Sequence, residues 1–339
     1  MKLFLVLNPT AQSGRAKRTW STIFSCLRET GTSFNYRITE QPLDAVSFAR
    51  QAISAGYDLV VAVGGDGTIC EVVTGIMKGL EDARVTMGGA GETVPAVRFG
   101  VIYTGTSPDF NTYHKIPLDP VKAVDVLIHG TPTAIDVGRV VYCLSDLSGS
   151  VSDLERQFVS NLVHDDVVTE YFVGNVNVGI GPMVARKANT GYRRLLGDLL
   201  GTMSAVVGSF AVYRKTDFKL RLDGGDMVFD ELINLTVGKN PFIASGMKVF
   251  SDIKPDDGRV AVLVVQRFSF LPLLANLPRL YGGTFLDHEN VTVTYAQEVD
   301  IFYDREHPEV EFDGDPKGFL PARIDLISRG MEVMMPHDR

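Results

Sequence analysis

The segment from Asp58 to Met77, DLVVAVGGDGTICEVVTGIM, holds the pattern with the plainest chemical meaning in this chain. An apolar run enters Gly64 and Gly65 and leaves through Asp66, Gly67 and Thr68 into residues at helical spacing. A strand, a glycine turn and a helix in that order present unpaired backbone N–H groups and the positive end of a helix dipole, which suits a phosphate. Glycine lets the backbone come close to such a ligand. Asp66 would repel phosphates unless a divalent cation or ordered water lies between them. A plain turn is the competing reading of these five residues taken alone. Two more polar turns follow apolar runs in the same half: Asn8-Pro9-Thr10-Ala11-Gln12-Ser13-Gly14 and Thr104-Gly105-Thr106-Ser107-Pro108-Asp109-Phe110. No Walker A pattern or dinucleotide fingerprint competes with them.

For three turns to meet one ligand, the strands before them must share a sheet and a direction. Residues 2–7, 34–38, 59–63 and 96–102 read as strands, and helical spacing fills the gaps at 19–27, from Asp44 onward and after the glycine turn. Asp44 reads as a helix cap. This alternation predicts an α/β N-terminal domain over residues 1–130 with a doubly wound parallel sheet, whose turns lie along one edge. From residue 131 to 330 the pattern becomes β-rich, with segments at 134–141, 168–178, 217–222, 227–237, 260–265, 291–295, 299–303, 310–312 and 323–327. Asp223-Gly224-Gly225-Asp226 is a hairpin signal. The second domain is therefore expected to be a mainly antiparallel β-sandwich, with a last strand near 331–336 returning to the first domain. The stretches 88–93 and 143–166 read as surface excursions.

Composition narrows the function classes. At 339 residues, 45% apolar and 22% charged, the chain has the make-up of a two-domain globular protein. Its net charge of −8 speaks against a general nucleic-acid binder. Cys26, Cys70 and Cys143 are odd in number and lack ligand spacing, which fits reduced core residues in a cytoplasmic protein. No apolar stretch reaches the length of a membrane span, so contact with lipid is expected to be peripheral at most. His114, His129, His164, His288, His307 and His337 show neither triad nor metal spacing.

Taken together, these motifs resemble the diacylglycerol kinase catalytic family, which includes bacterial diacylglycerol kinases, sphingosine kinases and related bacterial lipid kinases. The resemblance rests on Asn8-Pro9 with Ser13-Gly14, the Gly64-Gly65-Asp66-Gly67-Thr68 turn, and Gly105-Thr106 followed by Asp109-Phe110. It continues through Ile135-Asp136-Val137-Gly138, residues 175–181, Asp256-Asp257-Gly258, Phe312-Asp313-Gly314-Asp315 and residues 333–336. It implies a NAD kinase/diacylglycerol kinase-like fold and an ATP-dependent lipid kinase that acts with Mg²⁺. By the same resemblance ATP would be held by Asn8, Pro9, Thr10, Ser13, Gly14, Thr39, Gly64, Gly65, Asp66, Gly67, Thr68, Gly105 and Thr106. Asp66, Asp109 and Asp136 match carboxylates that hold the catalytic Mg²⁺ through water. Asp313 matches the general base, with Asp315 as its acidic neighbour. Asp257, with the backbone at Lys254 and Arg259, matches a second, structural Mg²⁺ site.

The chain departs from the family pattern at Ser107-Pro108, where bacterial members carry Gly-Asn or Ala-Asn, and at Asp315, where glutamate is usual. Residues 184–221 hold eight basic side chains against two acidic ones, around the apolar stretch 195–212. That suits either an anionic membrane surface or a core helix with solvated ends. The partners expected are a membrane lipid as substrate, peripheral membrane contact and a possible homodimer, with no nucleic acid. A diacylglycerol-like acceptor leads, and the alternatives are a NAD kinase-like enzyme with a soluble substrate or a non-catalytic nucleotide or lipid sensor.

Overall fold

The first apolar run forms β1 (Lys2–Leu7), and β2 (Ser33–Ile38), β3 (Leu59–Gly64) and β4 (Arg98–Tyr103) form where the later runs predict strands. The structure is a computed structural model that describes residues 1–11, 17–86, 97–145, 166–187, 193–244, 246–302, 309–312 and 314–337. The chain divides into two compact units, Met1–Ile135 with Arg329–Arg339, and Asp136–Ser328.

In the first unit the strands pair in parallel, β1 with β2 and β3, and β3 with β4. Leu7 lies level with Ile38 and Val63, and Gly64 with Tyr103, so the turns that follow these strands emerge along one edge. Three amides tie that edge laterally: Asn8 N to Val63 O at 2.9 Å, Thr39 N to Leu7 O at 2.9 Å and Thr104 N to Gly64 O at 2.8 Å. The helices are α1 (Lys17–Glu29), α2 (Asp44–Ser54), α3 (Asp66–Thr86), α4 (Asp109–Tyr113) and α5 (Pro120–His129). Ile23 and Leu27 of α1 and Ala123, Val124 and Leu127 of α5 share a core with Leu3, Leu5, Leu59 and Val61. Alternation along the strands turns the remaining apolar residues to the other face. There α2 and α3 pack so closely that a Cβ on Gly75 would meet the Val46 carbonyl at 2.4 Å. That approach accounts for glycine inside a helix, where it otherwise weakens the structure.

Asp44 does not cap α2 in the expected way. Leu43 occupies the cap with φ of 68°, and the Asp44 carboxylate instead accepts from the amides of Glu40 and Gln41 at 2.8 and 3.0 Å.

The second unit is antiparallel. Its strands are β5 (Thr131–Cys143, which begins in the first unit), β6 (Val167–Phe172), β7 (Asn175–Gly179), β8 (Thr216–Leu222), β9 (Gly225–Gly238), β10 (Phe242–Ile243), β11 (Met247–Lys248), β12 (Val260–Gln266), β13 (Val291–Ala296), β14 (Val299–Ile301), β15 (Glu309–Phe312) and β16 (Asp315–Met335). The pairings β9–β7–β15–β16–β14–β8 return to β9, so one circuit of hydrogen bonds closes on itself. Closure removes exposed edges, and the strands beyond it extend β9 through β12 to β13. Asp223 and Gly224 take φ of 48° and 84° in the hairpin between β8 and β9, as the turn sequence requires.

Among the described residues three α-helices accompany these strands: α6 (Ile180–Lys187), α7 (Arg193–Phe210) and α8 (Phe270–Gly282). Two expectations change here. Residues 168–178 break at Val173-Gly174 into β6 and β7, and the segments at 323–327 and 333–336 belong to one strand, β16. The polar Ser328-Arg329-Gly330 looks like a break in sequence, yet the strand continues through it to pair in parallel with β4 at Glu332 and Val333. The stretch 88–93 and most of 143–166 lie outside the described residues.

His114 follows α4 with its ring 4.4 Å from that of Phe110 and 4.7 Å from that of Tyr113. Desolvation among these rings pushes its imidazole down to about 3. A folded value below the unfolded one means that stability is complete above about pH 6.5 and declines below it, where the unfolded chain takes up the proton first. Because part of the ring remains exposed, the effect on stability is smaller than complete burial gives. Proton NMR of the full chain is expected to show the His114 ring neutral down to pH 5; a midpoint near 6.5 contradicts the assignment.

Candidate functional site

At the shared edge of the first unit the turns after β3 and β4 meet backbone to backbone. A Cβ on Gly105 would lie 2.5 Å from the Gly65 Cα and 2.6 Å from the Tyr103 hydroxyl, and one on Gly64 would lie 2.3 Å from Thr68 Oγ1. Both contacts are closer than any side chain tolerates, so the glycines are set by space. Asp66, Gly67 and Thr68 begin α3, where backbone amides have no partner within the helix. Asn8 joins from the first turn. Its Nδ2 donates to Thr68 Oγ1 at 2.9 Å, while its Oδ1 accepts from the Thr10 amide at 2.9 Å and the Thr10 hydroxyl at 2.7 Å. Thr104 Oγ1 is buried and has no partner among the described residues. Amides and hydroxyls along an edge where the two turns leave no room for a Cβ form a donor set suited to phosphate oxygens.

The carboxylates of this edge are linked through Tyr103, a residue that the sequence reading does not assign. Its hydroxyl donates to Asp66 Oδ2 at 3.1 Å and accepts from the Ser107 amide at 2.9 Å, and Ser107 Oγ donates to Asp109 Oδ2 at 2.9 Å. Burial, then the charge of Asp66, pushes the tyrosine far above its ordinary value, so it stays protonated and donates. Two carboxylates joined through one tyrosine–serine chain beside the glycine turns are of the oxygen-donor type that a hard divalent cation takes. Ser107 thus brings a hydroxyl next to the position of the lost asparagine, which Pro108 occupies ahead of the short helix that starts at Asp109.

The other expected nucleotide residues are spread along the same edge. Pro9 is half-buried, Thr10 and Thr106 are exposed, and Thr39 lies next to Leu7. Ser13 and Gly14 lie outside the described residues, as does Asp313. Asp315 is exposed and pairs with Phe312 across the β15–β16 connection.

Beneath that connection runs a buried polar chain that the sequence reading misses. The Gly314 amide donates to Glu311 Oε1 at 2.7 Å, and Asn177 Nδ2 donates to Glu311 Oε2 at 2.8 Å. Thr236 Oγ1 donates to Asn177 Oδ1 at 2.7 Å, Asn234 Nδ2 donates to Thr236 Oγ1 at 2.9 Å, and the Gly181 amide donates to Asn234 Oδ1 at 2.9 Å. The signal in the sequence is polar residues inside apolar strands, at Asn175 and Asn177 of β7 and at Asn234 and Thr236 of β9.

Asp136, expected beside Asp66 and Asp109, belongs to the second unit and is held there by other groups. Its Oδ2 accepts from Lys239 Nζ at 3.0 Å and from the Gly258 amide at 2.8 Å. At Lys254, Asp257 and Arg259 the expected second cation position meets a lysine side chain. Lys239 Nζ donates to Asp257 Oδ1 at 2.6 Å and to the Arg259 carbonyl at 3.0 Å, and Lys254 offers its N–H, not its carbonyl, to Asp257 Oδ2 at 3.0 Å. Burial pushes the Asp257 carboxyl up, and the bonds from Lys239 and Lys254 more than offset it, leaving the group below the usual range. Among the described residues no three histidine, cysteine or acidic side chains gather as a metal cage.

Residues 2–140 match the family model of the diacylglycerol kinase catalytic domain, and residues 174–335 match that of the YegS C-terminal NAD kinase beta sandwich-like domain. The chain thus carries a diacylglycerol kinase catalytic domain followed by a YegS-type C-terminal domain. It is similar to the diacylglycerol kinase of Staphylococcus haemolyticus, at 26% identity over 98% of this chain and 88% of that protein. It is also similar to the diacylglycerol kinase of Staphylococcus carnosus, at 24% identity over 98% and 95%. The fold matches a crystal structure of a diacylglycerol kinase from Bacillus anthracis strain Sterne, with TM-score 0.65 and 17% identity over 99% and 97% of the two chains. Another structure from the same strain gives TM-score 0.72 at 18% identity over 99% and 95%.

Two substitutions in this kinase test the geometry. Gly105→Ala forces the two turns apart, and equilibrium titration with a fluorescent ATP analogue is expected to show affinity weakened about tenfold or more, from an overpacking cost of about 1–3 kcal/mol. Unchanged affinity removes the cleft from the site. Glu311→Ala strips acceptors from Asn177 and the Gly314 amide, and urea unfolding is expected to show a loss of about 1–3 kcal/mol for each group left unsatisfied.

Proposed function

We propose that this kinase transfers the γ-phosphoryl group of ATP to a hydroxyl of a membrane lipid, with a diacylglycerol-like acceptor first in order. The observation that carries the reading is the Gly65–Gly105 cleft with Asp66 and Asp109 linked at its rim. The similarity to staphylococcal diacylglycerol kinases supports the acceptor class.

In this reading Asn8, Pro9, Thr10, Ser13, Gly14, Thr39, Gly64, Gly65, Gly67, Thr68, Gly105 and Thr106 surround the nucleotide. Backbone amides and hydroxyls hold its phosphates without a lysine. Asp66 and Asp109 would hold Mg²⁺, which when bound offsets charge on the phosphoryl oxygens. Asp313 takes the proton of the lipid hydroxyl as the new O–P bond forms and the bond to ADP breaks, with Asp315 as its acidic neighbour. Glu311 fixes the adjoining Gly314 amide and so positions that connection.

Peripheral contact with the membrane is proposed through exposed Val212, Phe270 and Leu271 of the second unit, where Leu271 is 72% exposed and Arg214 follows Val212 closely in sequence. Among the described residues no helix is long and apolar enough to cross a membrane.

Labelled ATP offered in parallel to diacylglycerol vesicles, sphingoid-base vesicles and NAD separates the acceptors. Label in a lipid supports the proposal, and label in NADP alone overturns it. Asp313→Asn is expected to lower turnover about 10²–10⁴-fold while leaving ATP affinity unchanged. Turnover equal to the parent enzyme takes the base role from Asp313.

A further inference from the structure

The ammonium of Lys239 is nearly buried, with its side chain 3% exposed, and it rests between two carboxylates, those of Asp136 and Asp257, with exposures of 0% and 13%. Its three protons have three acceptors: Asp136 Oδ2 at 3.0 Å, Asp257 Oδ1 at 2.6 Å and the Arg259 carbonyl at 3.0 Å. The backbone that delivers it is fixed independently. Lys239 N donates to the Gly174 carbonyl at 3.0 Å, Asn240 N donates to Asn175 Oδ1 at 3.3 Å, and Asn175 Nδ2 donates to the Asn240 carbonyl at 2.9 Å. A Cβ on the preceding Gly238 would meet Asn175 Oδ1 at 2.0 Å, so the chain leaves β9 along one path.

These acceptors include the oxygens that a second divalent ion would need from Asp257 and Arg259. Both carboxylates already have cations without one. Arg259 Nε donates to Asp257 Oδ2 at 3.2 Å while its Nη2 reaches Asp252 Oδ2 at 3.3 Å, so Asp257 faces an ammonium and a guanidinium and Asp136 an ammonium. Adding a divalent ion would set two further charges against both cations in a poorly solvated place. The residues as arranged do not fit a metal.

We propose that Lys239 is a tethered cation that replaces the structural divalent ion of the 254–259 loop, binding that loop and Asp136 together without metal. The proposal does not depend on which acceptor the kinase uses. A buried lysine partnered in full stabilises its neighbours only while it is present, and its removal leaves two carboxylates close together with no buried cation between them. In that state the pocket has the oxygen donors that a hard cation seeks.

Thermal unfolding of the full chain without nucleotide, in EDTA and across a MnCl₂ or MgCl₂ titration, reads this directly. The parent protein is expected to keep the same midpoint in EDTA and in millimolar metal. A saturable rise that Asp257→Asn abolishes overturns the proposal, because metal then takes the site from lysine. Lys239→Met is expected to lower the midpoint in EDTA by about 5 °C or more. MnCl₂ should restore part of the loss, and adding Asp257→Asn should recover part of it in EDTA. A Lys239→Met midpoint equal to the parent's also overturns the proposal. If that variant does not fold, the parent titration with its Asp257→Asn control decides alone.

Discussion

The turns after β3 and β4 touch through Cα atoms, and the nucleotide edge of the first unit follows from that contact. With the Gly105 Cβ position 2.5 Å from the Gly65 Cα, Gly105 cannot carry a side chain where the turns meet, and one on Gly65 would press backbone at 3.2 Å. The contact is possible because the strands are parallel and in register up to Gly64 and Tyr103, and because Thr104 N, Asn8 N and Thr39 N bind the strand ends to one another. Parallel pairing in turn requires crossover helices. The close seat of α3 on α2 at Gly75 is therefore part of the same construction. Space at one pair of glycines constrains strand order, helix packing and the placement of Asp66 at once.

The second unit solves a different problem by different means. Its closed circuit of antiparallel strands satisfies the backbone internally, and what must still be oriented is a set of polar side chains inside apolar surroundings. Buried polar groups are tolerated when each has its partner, and the chain from Gly181 through Asn234, Thr236, Asn177 and Glu311 to Gly314 meets that condition link by link. Each strand contributes at alternate positions, since residues two apart share a face. A polar residue at the wrong parity would sit in solvent instead. The placement of the Gly314 amide beside Glu311 is thus written into three neighbouring strands.

What the sequence made legible was whatever leaves a local signature. Apolar runs of strand length, the glycine turn at Gly64-Gly65, and the Asp223-Gly224 hairpin each report a backbone geometry within a few residues, and the α/β and antiparallel β halves follow from their order. Partnership across long separations was not legible. Tyr103 reads as the last apolar residue of a strand, yet its hydroxyl joins Asp66 to the Ser107 amide. Lys239 reads as a surface lysine after a strand, and its burial depends on Asp136, more than a hundred residues earlier. Ser328-Arg329-Gly330 reads as a break because it is polar, whereas ladder hydrogen bonds carry β16 through it. In each case tertiary contacts outweigh the local preference.

Asp66 and Asp136 show how one residue type acquires opposite electrostatic roles. Asp66 accepts from the Tyr103 hydroxyl in the first turn of α3, where the positive end of the helix dipole favours its negative charge. Asp136 is 1% exposed and accepts from an ammonium and a backbone amide, so its charge is already committed. A cation tied to the chain cannot dissociate, and the order it imposes on the 254–259 loop is independent of metal concentration. The lysine's place between Asp136 and Asp257 therefore serves structure, whereas the carboxylates at the glycine turns remain the candidates for chemistry.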